Sequence, residues 1–335
     1  SIPGFTQSLS EKVLLEHLQF LASDDLQGRK TLSEGNLKAR TYIQDHFRKL
    51  ENTEIIYPNF LQFFSFRNGR DGKIYNDAAN VVAIIPGSES KKVIVITAHY
   101  DHVGLGRPNA EGDSIYNGAD DNASGVAAML EMARTLKGGK YKKNNYLFIA
   151  FSGEELGLLG SKFFTQNPPV NLTGNTSGKL GKINYVINID MLGRIDTTKK
   201  VLTLNGVGTS PQFEKAIALI KTDTNQIKII TTKSGLGPSD HASFYIENIP
   251  VIHFFSGQHE DYHKPSDDEN LINYVGMANG LNVMEQLVSL NNKRGKLPFT
   301  KTQDATAGRT KFKVTLGVMP DYSYSGKGMR IDGVT

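Results

Sequence analysis

Two histidines in the last third of the chain have the spacing of a zinc-binding motif. His259 and His263 flank Glu260 in the order H-E-x-x-H. Such a pair binds zinc when it lies on a helix, because residues i and i+4 share one helical face and the glutamate can then activate water. Pro265 follows closely, a Ser-Gly pair precedes the motif, and no apolar residues recur there at helical spacing. The segment is therefore predicted to be a loop, which excludes the helical zinc motif.

Acidic and histidine side chains also occur where apolar, strand-like segments end. These residues are His99, Glu154, Glu155 and Asp190. In open α/β sheets, ligands bind in the crevice beyond the carboxyl ends of the strands. The four side chains are therefore predicted to meet at one edge of a sheet, although they are far apart in the chain.

Three of these side chains, together with two loop residues, form a ligand set that suits a pair of Zn²⁺ ions. The predicted ligands are His99, Asp120, Glu155, Asp190 and His263. Asp120 lies in the turn 117-NGADDNASG-125, where one bridging carboxylate would leave each ion one histidine and one terminal carboxylate. Asp101 follows His99 by two residues, on the same side of an extended chain, and is predicted to orient that imidazole.

The segments that must position these residues show the periodicity of an α/β protein. The first fifty residues have helical spacing of apolar side chains, and residues 59–85 read as an aromatic-rich hairpin. Strand-like and helix-like segments then alternate, and the last helix is predicted over residues 268–290. This alternation predicts a doubly wound sheet with helices on its faces.

The composition excludes several classes of protein. The chain has 335 residues, 39% hydrophobic and 21% charged, which is typical of a globular domain with a large core. Its net charge of +4 comes without a basic stripe, so no nucleic-acid partner is predicted. It contains no cysteine, which excludes disulfides, thiolate zinc sites and a cysteine nucleophile.

Two features of the sequence bear on location. No apolar run reaches the length of a membrane span, so no membrane insertion is predicted. The chain begins at Ser1 rather than Met, from which we expect a processed N-terminus and a periplasmic or secreted protein.

Six segments, in order along the chain, resemble the successive motifs of the co-catalytic two-zinc aminopeptidases. They are 98-AHYDHVG-104, 117-NGADDNASG-125, 152-SGEELGLLGS-161, 187-INIDMLGR-194, 239-SDHASF-244 and 262-YHKPSDD-268. The similarity covers roughly residues 10–292, and six motifs in the same order are highly specific. The resemblance implies a three-layer αβα fold with a mixed, largely parallel central sheet of the zinc-peptidase type.

Carried over by position, the resemblance implies which residues would bind each ion. One zinc would have His99 and Asp190 as its terminal ligands. The other would have Glu155 and His263. Asp120 would bridge the two ions and would be followed by a cis peptide bond.

The resemblance also implies the reaction. Glu154 would be the general base in a hydrolysis that removes the N-terminal residue of a peptide with a free amino end, with two zincs per chain. Asp101 would orient His99, and Asp240 and His241 would line the substrate site. The H-E-x-x-H segment would contribute only its second histidine.

Other activities of the same family, and one reading outside catalysis, stay open. A carboxypeptidase would need an Arg or Lys that binds the terminal carboxylate, and such residues are plentiful. A glutaminyl cyclase would use one zinc, whereas candidate ligands for two are present. A non-catalytic binding ectodomain, like that of the transferrin receptor, would have degraded ligands, and none is degraded here. A metallo-aminopeptidase is therefore the favoured hypothesis.

Three regions are predicted along the chain. Residues 1–292 would form the zinc aminopeptidase catalytic domain, and residues 293–310 a polar linker. Residues 311–335 read as two strands around a Tyr/Gly-rich turn and resemble the opening of the PDZ-like domains of some bacterial relatives. They are predicted to form a short β extension or the start of such a domain.

Overall fold

A computed structural model describes most of the chain, and in it helices pack on both faces of one mixed sheet. The described residues are 11–68, 71–88, 92–138, 141–169, 172, 180–223, 225–292 and 294–302, with two short strands at 318–320 and 331–334.

Seven α-helices lie in the described part of the chain. They are α1 (Glu11–Leu21), α2 (Glu34–Lys49), α3 (Gly125–Leu136), α4 (Leu159–Gln166), α5 (Pro211–Ile217), α6 (His241–Ile246) and α7 (Tyr274–Asn291). The predicted last helix starts later than residue 268, because the side chain of Asn273 accepts the N–H of Gly276 and caps α7. None of the described helices is both long enough and apolar enough to span a membrane.

Among the described residues, the main sheet contains nine strands, and two further pairs of short strands lie outside it. The strands are β1 (Glu54–Ile55), β2 (Leu61–Arg67), β3 (Ile74–Ile85), β4 (Val93–His99), β5 (Gly104–Leu105), β6 (Ile115–Tyr116), β7 (Asn145–Phe151), β8 (Ile183–Ile189), β9 (Val201–Asn205), β10 (Lys228–Thr231), β11 (Val251–Phe255), β12 (Val318–Pro320) and β13 (Ile331–Val334). The order across the main sheet is β1-β3-β7-β4-β8-β11-β9-β10, with β2 paired to β3.

The four central strands β7, β4, β8 and β11 run parallel to one another. Antiparallel pairing joins β3 to β7 on one side and β9 to β11 on the other. The carboxyl ends of the central strands therefore meet at one edge of the sheet, as predicted. The α/β fold with a mixed, largely parallel central sheet is confirmed.

Each face of the sheet carries its own apolar core, so the central strands are mostly apolar and are buried on both faces. Along β4, Ile94 and Ile96 pack into the core formed with α1, α3 and α7. Val95, between them, points to the opposite face. There it belongs to the core that contains Phe164 of α4 and Phe244 of α6.

Arg29, in the segment between α1 and α2, ties the N-terminal helices to the edge where the strands end. Its side chain is 1% exposed. The guanidinium donates to the backbone carbonyls of Leu21, Tyr100, Asn117 and Gly118. Burial lowers the pKa of Arg29 to about 10, against the opposing charge of Asp121. The contacts anchor the loop at 117–118 to the N-terminal layer.

The C-terminal segment shows one feature of the predicted β extension. β12 and β13 pair antiparallel. The rest of residues 303–335 lies outside the described residues, as does residue 293 of the predicted linker. The division into catalytic domain, linker and PDZ-like extension stays a prediction.

Candidate metal centre

Three parallel strands deliver the first candidate ligands to one place. β4 ends at His99, β8 is followed directly by Asp190, and β7 is followed by Glu154 and Glu155. The chain turns sharply after β7 at Gly153, whose φ of 74° lies in the left-handed region that glycine adopts without strain. This turn directs the two adjacent glutamates into the crevice beyond the strands.

A group of three residues lies on the β8 side of this crevice. His99 Nε2 is 3.2 Å from Asp190 Oδ1 and 3.3 Å from Asp121 Oδ1. The other ring nitrogen of His99 donates its N–H to the backbone carbonyl of Asp101 at 3.1 Å, which leaves Nε2 free to bind a cation. We call His99, Asp121 and Asp190 the three-residue group.

A group of four residues lies on the β7 side. His263 Nε2 is 3.0 Å from Asp121 Oδ2 and 3.2 Å from Glu155 Oε1. His102 Nδ1 is 2.8 Å from the same oxygen of Glu155 and 3.7 Å from Asp121 Oδ2. We call His102, Asp121, Glu155 and His263 the four-residue group. One carboxylate, that of Asp121, belongs to both groups.

The structure places Asp121, rather than Asp120, between the two groups. The Asp120 carboxylate turns away and accepts hydrogen bonds from the N–H of Gly193 at 2.5 Å and from the Ser124 hydroxyl at 3.0 Å. Asp120 and Asp121 lie in the irregular turn Ala119–Ser124, where adjacent side chains point in different directions, so the choice between them depends on backbone geometry that the sequence does not show. The cis peptide bond expected after Asp120 likewise lies one residue later, between Asp121 and Asn122.

The loop that carries Asp121 is held by the loop that carries His263. The Asp267 carboxylate accepts the backbone N–H groups of Asp120 and Asp121 at 3.1 Å. The backbone carbonyl of Asp267 also accepts the N–H of Ala119. The two ligand-bearing loops are therefore bonded to each other through one aspartate.

The H-E-x-x-H segment lies in a loop, as predicted, and its first histidine contacts the same region. His263 has a φ of 54°, a strained conformation for a residue with a Cβ, and such residues cluster at functional sites. His259 Nε2 lies 3.2 Å from Asp120 Oδ2, outside both groups. The pair therefore does not share one face of a helix.

Asp101 orients the site in a different way from the one expected. Its carboxylate is 4.0 Å from His99 Nδ1, farther than its own backbone carbonyl. The carboxylate instead accepts the backbone N–H of Glu154 at 3.2 Å and the Thr31 hydroxyl at 2.9 Å. Burial raises the pKa of Asp101, against the opposing charge of His99. The carboxylate of Asp101 thus holds the backbone of Glu154, and the backbone carbonyl of Asp101 orients His99.

Glu154 belongs to neither group, but it interacts electrostatically with His99, Asp190 and Glu155 of the groups and with Asp240. Burial raises the pKa of Glu154 well above its ordinary value, and the charges of Asp190 and Asp240 act in the same direction, against His99. A carboxyl with a raised pKa is suited to taking up and releasing a proton near neutral pH. The geometry therefore leaves Glu154 available for proton transfer.

The two groups attract positive charge strongly. Burial opposes the charged form of His263, but Glu155 and Asp121 raise its pKa to about 11. Burial also opposes ionisation of Glu155, as does Asp121, but His263 and His102 lower its pKa to about 2. For His99, burial acts against protonation, yet Asp190 and Glu154 raise its pKa well above its ordinary value. The imidazoles of His99 and His263 are thus held where the surrounding carboxylates favour a cation.

Asp240 and His241 lie beside these groups at the start of α6 but belong to neither. Asp240 is fully buried, and burial raises its pKa to about 7, helped by the charges of Asp101 and Asp190. His241 stacks on His253, with ring centres 4.6 Å apart. The prediction that Asp240 and His241 contact substrate stays a prediction.

Sequence reasoning missed His102 and Asp121. His102 lies three residues after His99 in the segment 98-AHYDHVG-104, and Asp121 follows Asp120 directly. Both residues therefore lie close in sequence to predicted ligands and have side chains that can bind zinc. Only the course of the backbone shows which of them face the crevice.

The donor atoms of both groups suit a divalent cation of borderline softness. Imidazole nitrogen and carboxylate oxygen are the donors that zinc takes in sites without cysteine. The donor atoms within each group all lie within 4.8 Å of one another. By contrast, a cavity of about 550 Å³ lined by Leu180, Ile183 and Pro250 lies at the amino ends of β8 and β11, away from these side chains. The candidate site is the acidic crevice.

Comparison with known proteins connects this geometry to one family. The family model described as peptidase family M28 matches residues 80–288. Among curated relatives, aminopeptidase YwaD of Bacillus subtilis is 31% identical over 181 residues, which is 52% of this chain but 36% of that protein. The chain thus spans about a third of that relative's length.

Solved structures with this fold carry more than one activity in their names. A zinc aminopeptidase from Bacillus subtilis superposes with a TM-score of 0.66 at 18% identity, over 84% of this chain and 95% of that one. Porphyromonas gingivalis glutaminyl cyclase superposes with a TM-score of 0.65 at 20% identity, over 84% and 98%. The zinc-peptidase fold type is confirmed. Because the family model covers more than half of its residues, this chain belongs to peptidase family M28.

Proposed function

We propose that the protein is a zinc-dependent exopeptidase that removes N-terminal residues from peptides. The observation that carries the proposal is a pair of cation-attracting groups that share the carboxylate of Asp121, with Glu154 beside them. The name of the relative YwaD, an aminopeptidase, supports the same activity.

Two zinc ions per chain would be bound. The three-residue group would hold one ion and the four-residue group the other, with Asp121 bridging them. Bound zinc would supply Lewis acidity, which makes water a stronger acid and polarises a carbonyl group.

Glu154 would act as the general base and then as the general acid. Its carboxylate would take the proton from the water that attacks the scissile carbonyl and would return it to the departing amine. The raised pKa of Glu154 supports this role, because a carboxyl with an ordinary pKa holds a proton poorly near neutral pH. Asp101, which accepts the backbone N–H of Glu154, would keep that side chain in position.

The acidic lining also supports recognition of a free amino end. Asp190 and Asp240 interact electrostatically with Glu154 across the same crevice, and Asp240 is fully buried. An α-ammonium group would gain more from this negative potential than a blocked or internal peptide nitrogen would. Cleavage one residue from the amino end follows if the first peptide carbonyl then reaches Glu154.

A panel of aminoacyl nitroanilides, with N-acetylated versions of the same compounds, tests the proposal. We expect hydrolysis of the free amines, loss of activity after chelation, and recovery with zinc. An N-terminal glutaminyl peptide in the same panel separates the cyclase, which would release ammonia. Peptides with free and blocked carboxyl ends separate the carboxypeptidase. Hydrolysis of acetylated substrates, or full activity after chelation, would contradict the proposal.

A further inference from the structure

We propose that His102 is a fourth protein ligand of the ion held by Glu155 and His263, so that the two halves of the centre bind metal unequally. The inference rests on the proposed function, because it assumes that both groups bind zinc. The resemblance to the two-zinc aminopeptidases implies no role for His102.

The distances within the four-residue group carry the inference. Four ligands at the usual distances from zinc form a tetrahedron with edges of roughly 3.3–3.5 Å. His263 Nε2 lies 3.0 Å from Asp121 Oδ2 and 3.2 Å from Glu155 Oε1, and His102 Nδ1 lies 2.8 Å and 3.7 Å from the same two oxygens. The four donor atoms are therefore already spaced as the corners of one small cage.

The fold fixes the ring of His102 in this orientation. Its side chain is fully buried, and its backbone N–H bonds to the carbonyl of Arg29. A Cβ on Gly118 would come within 2.5 Å of the His102 ring, so the loop packs directly against it. The ring of His263 meets it at 74°, with centres 5.4 Å apart. No rotation of His102 toward solvent is possible without moving these neighbours.

The chemistry of the closest contact requires something between the two atoms. His102 Nδ1 and Glu155 Oε1 are 2.8 Å apart, and two electron pairs at that distance repel unless a proton or a cation lies between them. A proton would make His102 a hydrogen-bond donor that only positions Glu155. A cation would make both residues ligands, and the convergence of two further donors on the same point favours the cation.

The two groups would then have different functions. A zinc site with four protein ligands is closed, whereas a site with three keeps a position open for water or substrate. The closed half would be the four-residue group. The open half would be the three-residue group, whose His99 interacts directly with the charge of Glu154. Water and substrate would then exchange on the side where the general base lies.

Zinc titration of the full chain tests the ligand assignment. His102→Ala and His102→Asn are compared with the wild type and with His46→Asn, a control on α2 away from the crevice. Competition with a chromophoric chelator gives each affinity, and elemental analysis gives the number of ions. We expect the tighter of two wild-type affinities to fall by at least about 10–100-fold in both His102 variants and to stay unchanged in the control.

The asparagine variant separates a ligand from a positioning residue. Its amide N–H can replace the Nδ1 donor to Glu155, but an amide is a poor ligand for zinc. Wild-type affinity in His102→Asn would overturn the proposal. Circular dichroism of the metal-stripped variants checks that they fold, and a cobalt-loaded sample reports the coordination of the tighter site through its visible spectrum. A spectrum unchanged by His102→Asn would also overturn it.

The outcomes distinguish this inference from the proposed function. Zinc binding that depends on His102, in a protein that cleaves no peptide, would leave the ligand assignment intact and remove the exopeptidase. If the wild type cleaves peptides and His102→Asn binds two ions as tightly as the wild type does, the exopeptidase stands and the ligand assignment fails. A wild type that binds no zinc would overturn both.

Discussion

Histidines are buried in two regions of this protein, and the two environments act on them in opposite ways. Between α1 and α2, His17 is 5% exposed, bonds to the Tyr42 hydroxyl at 2.8 Å and packs against His46. Burial lowers the pKa of His17 to about 4, and the charge of His46 acts in the same direction. In the acidic crevice, carboxylates outweigh burial and raise the pKa values of His99 and His263.

The difference shows how a core histidine can be told from a metal ligand. Burial alone makes an imidazole neutral, because it removes the water that stabilises the charged form. In the acidic crevice, converging carboxylates make a buried imidazole favourable for positive charge. The stacked pair His241 and His253 lies next to the crevice, yet burial lowers both pKa values. Proximity to the site is therefore not enough, and the carboxylates must face the ring.

Removing the shared carboxylate should have the largest effect on the crevice. Asp121→Asn takes one ligand from each group, so we expect zinc affinity to fall by more than about 100-fold and peptidase activity to disappear. Asp120→Asn is the matched control. It alters a residue that bonds to Gly193 and Ser124, and it should reduce affinity far less. Chelator competition measures both, and the opposite ranking would restore Asp120 as the bridge.

Changing the base should separate catalysis from metal binding. In Glu154→Gln we expect kcat to fall by about 10²–10⁴-fold, because the amide cannot accept the proton from water. Zinc content should equal that of the wild type, since Glu154 belongs to neither group. Steady-state kinetics and elemental analysis on the same preparation check both parts. Retained turnover would remove Glu154 from the role.

Replacing Arg29 in the N-terminal layer should lower the free energy of unfolding. Arg29→Met leaves buried carbonyls without donors, and an unsatisfied buried group costs about 1–3 kcal/mol. We expect a loss of about 3–5 kcal/mol in the free energy of unfolding, measured by urea denaturation of metal-stripped protein. Arg48→Met, at the exposed end of α2, should change it by less than about 0.5 kcal/mol. Equal effects would mean that the buried contacts contribute little.

His17 should make stability depend on pH in the acidic range. The unfolded histidine takes up a proton below about pH 6.5, whereas the folded one does so only near pH 4. Acidification through this window therefore favours the unfolded state, by at most about 3 kcal/mol. Urea unfolding at several pH values between 4 and 7 should show a shallower decline in His17→Asn than in the wild type. Parallel curves would show that His17 is accessible to protons in the fold.

Much of the scaffold could be predicted from periodicity, whereas the ligand set could be predicted only in part. The runs at 93–99 and 183–189 are mostly apolar and buried at every position because both faces of the sheet are covered, and their ends mark His99 and Asp190. β9 and β10 were not predicted. They are short and lie toward the edge of the sheet, β9 alternates in burial and β10 is mostly exposed, so they give a weak signal.

The loops set the limit of prediction within the site. Asp120 and Asp121 have the same side chain, and the choice between them depends on the turn that Asp267 holds from a distant part of the chain. His102 lies beyond the end of β4, where strand alternation no longer predicts direction. Long-range hydrogen bonds of this kind have no local sequence pattern.

The bonds from Asp267 to the Asp121 loop have a consequence for how such a protein can be altered. The backbone N–H groups of Ala119, Asp120 and Asp121 all donate to Asp267, which follows His263 by four residues. Inserting or deleting a residue between His263 and Asp267 would therefore displace the side chains of Asp121 and His263 together. When this site is engineered, the two loops must therefore be exchanged together or both kept.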